Sequence, residues 1–255
     1  MLHAFSRTEL AIGPEGLDAL KSSTVAVLGI GGVGAMAVEG LARSGVGTII
    51  LIDKDVVDIT NINRQIHALT TTVGQQKTEL MAERVKLINP EIQTIVLNMF
   101  YTEETYEKLF EHKIDYVLDA SDTIVYKIHI IKECLKRGIP ILSSMGAANK
   151  LDPTRFRIAD ISKTKMDPIA RIIRNKLRKE DGIKKGVKVV FSTEPPVKPR
   201  VDVTEQIAPA GAKIRKAKQP PASNSFVPPT VGLIMVSEAV KDLLAIHGHP
   251  LQSEE

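Results

Sequence analysis

The chain has 255 residues, 43% of them hydrophobic and 25% charged, with a net charge of +4, a composition that fits a soluble globular α/β protein with a sizeable core and excludes a disordered or fibrous one. Its single cysteine, Cys134, excludes both a disulfide framework and a four-thiolate zinc site within one chain. Residues 1–7 lack the apolar stretch of a secretory signal, and the apolar run 231–236 is too short to span a bilayer, so the expected setting is a reducing cytoplasm, with no membrane as partner.

Thr24–Leu28 reads as a buried strand. It is followed by the glycine turn Gly29-Ile30-Gly31-Gly32-Val33-Gly34, a helix to Ser44 and a second buried strand, Thr48–Ile52, which together make one βαβ unit. The alternation continues with helix 77–87, closed by Asn89-Pro90, strand 92–97, helix 103–110, strand 116–118, helix 124–136, ended by Gly138, and strand 139–142. This predicts an α/β fold of the Rossmann-like type, a doubly wound, mostly parallel sheet. After Asn149 the pattern changes, because 156–161 and 187–191 mix polar with apolar residues and predict antiparallel strands that extend the sheet. Between them, Asp167-Pro168 forms a helix N-cap with proline at the first helical position, and Ile169, Ile172, Ile173 and Leu177 make one apolar stripe. Residues 195–225 are rich in Pro, Lys, Ala and Gly without periodicity and predict a long mobile loop; 231–246 predicts a last helix.

Charge is distributed unevenly: residues 154–218 hold 18 Lys and Arg against 7 Asp and Glu, a net of +11, which leaves −7 for the rest. A basic second half beside an acidic first half suits a polyanionic partner, with a solvated basic face as the alternative. Arg171, Arg174, Arg178 and Lys179 on the helix after Asp167 are the candidate docking residues, with Lys184, Lys185, Lys213, Arg215, Lys216 and Lys218 as helpers.

Gly29, Gly31, Gly32 and Gly34 allow a tight turn, close approach of backbone to phosphate, and close packing of helix on strand. Asp53, 19 residues after Gly34, ends the second strand where a carboxylate can hold a ribose. So far a nicotinamide dehydrogenase fits equally well. The following run, with Asp55, Asn61, Asn63, Arg64 and Gln65 and then Lys77 at the start of a helix, does not suit hydride transfer. Two cations and several amides suit displacement at a triphosphate, where charge accumulates on phosphoryl oxygens. The next strand ends in Asp119 and Asp122, hard oxygen ligands placed to hold Mg2+ against ATP phosphates, with helix capping as the plainer role for Asp122. Cys134 lies inside a helix pattern and reads as a buried, inert residue.

These residues, in this order, resemble the ubiquitin-activating-enzyme-like adenylyltransferases, in which a carboxylate attacks the α-phosphate of ATP. The resemblance implies that Asp53 holds the ribose, Arg64 and Lys77 the phosphates, Asn61 the triphosphate, and Asp122 magnesium. It also implies a homodimer in which an amino-terminal arginine of one chain serves the site of the other; Arg7 is the matching position, with Arg43 as the alternative. The paired C-x-x-C motifs of members that activate protein tails are absent. Instead, the run from Ser144 to Arg155, Asp160 to Thr164, Asp167-Pro168, Val190 to Glu194 and Ser225 to Leu233 resemble the tRNA threonylcarbamoyladenosine dehydratases over nearly the whole chain. That resemblance implies one ATP-binding domain over 1–255, with a nucleotide-binding core at 24–149 and a basic extension at 150–255. It further implies tRNA as partner, ATP-dependent cyclisation of N6-threonylcarbamoyladenosine, and leaves open a sulfur-transfer accessory protein. Two other readings stay open: activation of a ubiquitin-like sulfur carrier, and a non-catalytic scaffold for nucleotide and RNA.

Overall fold

Thr24–Leu28 and Thr48–Ile52 are apolar on both faces, and strands of that kind are stable only between two layers. In the computed structural model, which describes residues 2–201 and 221–251, they form the middle of a seven-stranded sheet with helices on each side. Helix α1 (Ser6–Ser22) precedes β1 (Thr24–Leu28), α2 (Gly32–Ser44) and β2 (Thr48–Ile52). Then come α3 (Lys77–Ile88), β3 (Gln93–Leu97), a short α4 (Glu107–Phe110), β4 (Tyr116–Asp119), α5 (Ile124–Arg137) and β5 (Ile141–Ser144). β6 (Phe156–Asp160), α6 (Pro168–Glu180), β7 (Lys188–Ser192) and α7 (Val227–Ile246) follow. Val25, Val27, Ile49 and Leu51 pack in one core with residues of α2, α3 and α7, whereas Ala26, Leu28, Ile50 and Ile52 pack in the other with α5 and α6. No helix among the described residues is long and apolar enough to cross a membrane.

The strand order is β3-β2-β1-β4-β5-β7-β6. Because the chain leaves β1 first toward β2 and β3 and later returns to β4 on the other side, the carboxyl ends of β1 and β4 flank a topological switch point, where open α/β sheets bind ligands. Leu28 is in register with Ile52 on one side and with Asp119 on the other, so the glycine turn, Asp53 and the Asp119 loop leave the sheet at one level.

Of the two strands expected to run antiparallel, only β6 does. β7 is parallel to β5, with Ser143 opposite Val189, and antiparallel to β6. Lys188 gave β7 its half-exposed look, but its ammonium is paired with Glu238 at 2.8 Å and Asp242 at 2.7 Å on α7, so a lysine is accommodated in an otherwise buried strand. Other boundaries also move. The helix expected at 103–110 is reduced to α4, β5 begins after Pro140, and α7 begins four residues early because Pro228 and Pro229 fit a first helical turn. Helix α1 was not foreseen; Gly13, at φ +77, and Pro14 interrupt it and obscure its pattern. Residues 202–220 of the expected loop, with Lys213, Arg215, Lys216 and Lys218, lie outside the described residues.

Candidate active site

Gly29 stands at φ +82, a left-handed backbone that glycine adopts freely. A Cβ on Gly34 would stand 1.8 Å from the Gly29 carbonyl oxygen, and one on Gly29 would stand 2.9 Å from that of Ala120. The start of α2 is thereby drawn against β1 and the loop after β4. Its N-cap, Gly31, provides no side-chain cap, so the first N–H groups, at the positive end of the helix, are left for an anion. Asp53 braces the turn: Oδ2 accepts from the Ile30 N–H at 2.7 Å and Oδ1 from the Asp55 N–H at 2.8 Å. A carboxylate offers about four acceptor positions, which leaves capacity for ribose hydroxyls.

The segment from Asp53 to α3 closes on itself, with Val57 N–H donating to Gln75 O at 2.8 Å and Lys77 N–H to Asp55 O at 3.1 Å. Asp58 caps the short 3-10 helix Ile59–Asn61, and Asn61 Oδ1 accepts from the Asp58 N–H at 3.1 Å. This turn carries Arg64 and Gln65 onto the glycines: the Cβ position of Gly32 is 3.3 Å from Arg64 Cγ, and that of Gly31 is 3.9 Å from Gln65 Nε2. Arg64 donates to Thr60 O and Asn63 Oδ1, each at 2.9 Å, and burial lowers its pKa from the ordinary value. Gln65 is buried with no partner for Oε1, an orphaned polar atom of the kind a ligand satisfies. Lys77, also buried, opens α3 and pairs with Asp55 at 3.1 Å. A cation at the positive end of a helix is unfavourable by itself; a phosphate there would answer both charges. Glycine turn, orphaned amide and buried cation all fit ATP.

His67, which sequence reasoning did not single out, lies in the same segment, 5% exposed and with both ring nitrogens unpartnered. Burial, reinforced by the charge of Lys77, pushes its pKa down to about 4. Between the ordinary histidine value of about 6.5 and that lower value, the unfolded chain takes up a proton that the folded chain refuses. Stability present above pH ~6.5 is therefore expected to fall by roughly 3 kcal/mol on the way to pH ~4. Urea midpoints measured across this range should drop in the wild type and less steeply in His67→Gln; equal slopes would assign the acid sensitivity to another group.

Asp119 is fully buried. Its Oδ2 accepts from Lys127 Nζ at 3.0 Å and Ser143 Oγ at 2.5 Å, and its Oδ1 from Ser121 N at 3.1 Å and Oγ at 2.6 Å. The carboxylate is thus committed inside the protein, where it sets the course of the loop that abuts Gly29. Lys127, 2% exposed, was missed because nothing in sequence distinguishes a lysine on an inward helix face from one on an outward face. Asp122 is exposed, and the α5 N-cap is Thr123, without a side-chain cap bond. Among the described residues Asp122 accepts only from Thr123 Oγ1, at 3.3 Å, so capping does not occupy it. Among the described residues no group of three or more His, Cys, Asp or Glu could hold a metal ion; a cation at Asp122 would therefore be held jointly with phosphate oxygens. Cys134 is buried, and burial pushes its thiol up to about 12, well away from nucleophile chemistry.

The structure does not bring Arg7 to this chain's own glycine turn. It is exposed on α1, two residues after Phe5, whose ring lies 3.6 Å from the Cβ position of Gly45 at the far end of α2. Arg43, at that same end, pairs with Glu39 at 2.7 Å. The basic helix α6 does begin beside the site, because Asp167 Oδ2 accepts from the Gly146 N–H at 3.1 Å just beyond β5. Arg171, Arg178, Lys179, Lys184 and Lys185 are exposed. Arg174 is turned inward, donating to Thr164 O at 3.0 Å.

Residues 5–254 match the ThiF family. The chain is 67% identical over 244 residues to the tRNA threonylcarbamoyladenosine dehydratase of Bacillus subtilis, with 96% of each chain covered. It is 38% identical over 252 residues to the Escherichia coli protein of the same name, covering 94% of this chain and 93% of that one. The crystal structure of the E. coli dehydratase in complex with ATP matches with a TM-score of 0.85 at 36% identity, covering 96% of this chain and 95% of that one. The chain belongs to the ThiF family, in the branch that contains the tRNA threonylcarbamoyladenosine dehydratases.

Proposed function

We infer that the protein uses ATP to dehydrate N6-threonylcarbamoyladenosine in tRNA to its cyclic form, through an adenylated carboxylate. The observation that carries this is that Arg64 and Gln65 lie against the glycine turn at the switch point, with buried Lys77 paired to Asp55, in a chain 67% identical to a B. subtilis protein of that name. The first N–H groups of α2, with Arg64 and Lys77, hold the triphosphate in line, and Asp53 takes the ribose. Asp122 is the magnesium residue of this proposal, and the ion would add Lewis-acid charge at the phosphates. The threonyl carboxylate displaces pyrophosphate from the α-phosphorus; the carbamoyl group then closes on the activated carbonyl and AMP leaves, so the base loses one water overall. No enzyme nucleophile enters, in keeping with the inert Cys134.

The second half supplies the rest of the proposal. Exposed Arg171, Arg178, Lys179, Lys184 and Lys185 make phosphate contacts to the anticodon arm, while the base enters at the carboxyl edge. The single domain proposed over 1–255 is supported by β7, which lies between β5 of the nucleotide-binding core and β6 of the extension. Arg7, exposed and away from its own site, serves a second copy in a homodimer. A cytoplasmic setting follows from the tRNA substrate, and any sulfur-transfer protein would be accessory to the cyclisation.

Incubating the protein with ATP, Mg2+ and tRNA carrying N6-threonylcarbamoyladenosine, followed by gentle digestion and mass spectrometry, is expected to yield a nucleoside lighter by one water. An unchanged nucleoside, with sound tRNA and folded protein, would remove the RNA assignment and turn attention to a carrier-protein tail.

A further inference from the structure

On the β4 side of the glycine turn the carboxyl edge of the sheet continues through β5 and β7. With neighbouring strands about 4.8 Å apart, the end of β5 lies roughly 10 Å from the end of β1, within reach of a group that reacts at the phosphates. The loop leaving β5 there ends in Lys150, which is 3% exposed. Its Nζ donates to the Glu194 carbonyl oxygen just after β7, and among the described residues no other hydrogen bond or ion pair reaches it. An ammonium carries three donors, so two are left without acceptors. The carboxylates nearby accept from backbone N–H groups and, among the described residues, form no ion pair with this ammonium. Asp167 accepts from Gly146, Ile169 and Ala170 at 3.1, 2.9 and 3.1 Å, and Glu194 from Leu151 and Asp152 at 3.1 Å. Burial lowers the Lys150 pKa, against the opposing fields of Asp167 and Glu194. A buried cation short of acceptors favours an incoming anion.

A second set of contacts fixes Lys150 relative to the phosphate side of the site. Asn149, at φ +57, donates to Ala222 O at 2.8 Å and accepts from Ala222 N at its side chain, also at 2.8 Å. Asn224 Nδ2 donates to Lys150 O at 2.8 Å, while Asn63 Nδ2 donates to Ser223 O at 3.1 Å. Residues 222–224 therefore form a bridge, gripped in the middle by Asn63, which orients Arg64, and at both ends by Asn149 and Lys150. The β5 loop, through Asn149 and the Lys150 carbonyl, and the loop that carries Arg64, through Asn63, thus hold the same three-residue span.

We propose that Lys150 is a specificity-determining residue whose ammonium receives the carboxylate of the threonylcarbamoyl group and so separates the modified adenosine from plain adenosine. The proposal rests on the dehydratase reading above. The ligand class is an amino-acid carboxylate borne on a nucleobase, which would meet in Lys150 a buried ammonium with charge-assisted donors not used among the described residues. Because this contact is made by the substrate on arrival and is retained on the way to the transition state, it governs substrate binding more than the chemical step.

The test compares an anticodon stem-loop carrying N6-threonylcarbamoyladenosine with the same stem-loop unmodified, using the full chain with ATP and Mg2+. Lys150→Met is expected to raise KM for the modified RNA about tenfold or more with kcat changed less than about threefold. It should also bring binding of the two RNAs close to equal while leaving ATP binding without RNA intact. Lys150→Arg, which keeps a buried cation, should recover most of the preference; it also provides the decisive comparison should the Met variant fail to fold, since an Arg variant with no preference for the modified RNA would overturn the idea. A folded Met variant that prefers the modified RNA as strongly as the wild type would overturn it, as would equal loss of ATP and of both RNAs, the pattern of a purely structural lysine. Failure of the dehydratase reading looks different, since the wild type itself would then release no water-lighter nucleoside, and the proposal would fall with it.

Discussion

Arg64→Ala is expected to lower kcat/KM for cyclisation by roughly 10²- to 10³-fold, the usual consequence of removing one preorganised charge from a site that stabilises phosphoryl oxygens. Arg64 does not hold the fold together: it is half-buried and, among the described residues, its side chain bonds only within its own turn, to Thr60 O and Asn63 Oδ1. The melting temperature should therefore move little. Arg64→Lys keeps the charge without the planar fork that these two acceptors orient, and its loss should be intermediate. Asp122→Ala should produce a fall of similar size, partly recovered by raising Mg2+, because among the described residues its carboxylate bonds only to Thr123. ATP–pyrophosphate exchange and water loss from the nucleoside should decline together. Cyclisation at the wild-type rate in Arg64→Ala would sink the assignment of this loop to the triphosphate.

Lys127→Met should be the most damaging single change to stability. It leaves the carboxylate of Asp119, fully buried, with hydrogen bonds from Ser121 and Ser143 but without its cation, 3.0 Å away in the intact protein. Breaking a buried pair in this way costs about 3–5 kcal/mol, which corresponds to roughly 10 °C in Tm for a chain of this size. Replacing both partners, as Asp119→Asn with Lys127→Met, should recover much of that loss, since no unpaired charge remains. Thermal unfolding of the two single variants and the double variant decides it: additive losses would mean that the pair is not coupled. Activity should suffer too, because Asp119 steers the loop that meets Gly29.

The parts of this protein that sequence revealed are those governed by local rules. β1 and β2 are apolar throughout because they are covered on both faces, and the glycine turn lies between β1 and α2 as close packing demands. Asp53, Arg64, Gln65 and Lys77 stood out in sequence because their types and order suit phosphate chemistry, and of these the structure carries Arg64 and Gln65 onto the glycines. What escaped depends on contacts distant in the chain. The direction of β7 was misread because Lys188 looked solvent-facing while Glu238 and Asp242, some fifty residues away, neutralise it. Asp119 looked like a ligand because its buried partner, Lys127, sits on a helix whose inward face no periodicity could orient. Arg174 looked like a surface cation until Thr164 claimed it. The bridge of Asn63, Asn149 and Asn224 to Lys150 joins three segments, and no window of sequence contains it.

The close seating of α7 on α2 bears on the order in which the protein can become active. A Cβ at Gly232 would stand 2.3 Å from the Val33 carbonyl oxygen, and one at Gly32 would stand 3.0 Å from Pro228. α7 therefore walls the first turn of α2, the helix proposed to cradle phosphate. During synthesis, β1, the glycine turn and β2 emerge early, but the face of α2 that α7 covers stays bare until residues 227–246 have left the ribosome. A chain that stops before residue 227 would thus carry the glycine turn while lacking α7 against the first turn of α2, so that the ATP binding proposed above is expected only of polypeptides that extend through α7.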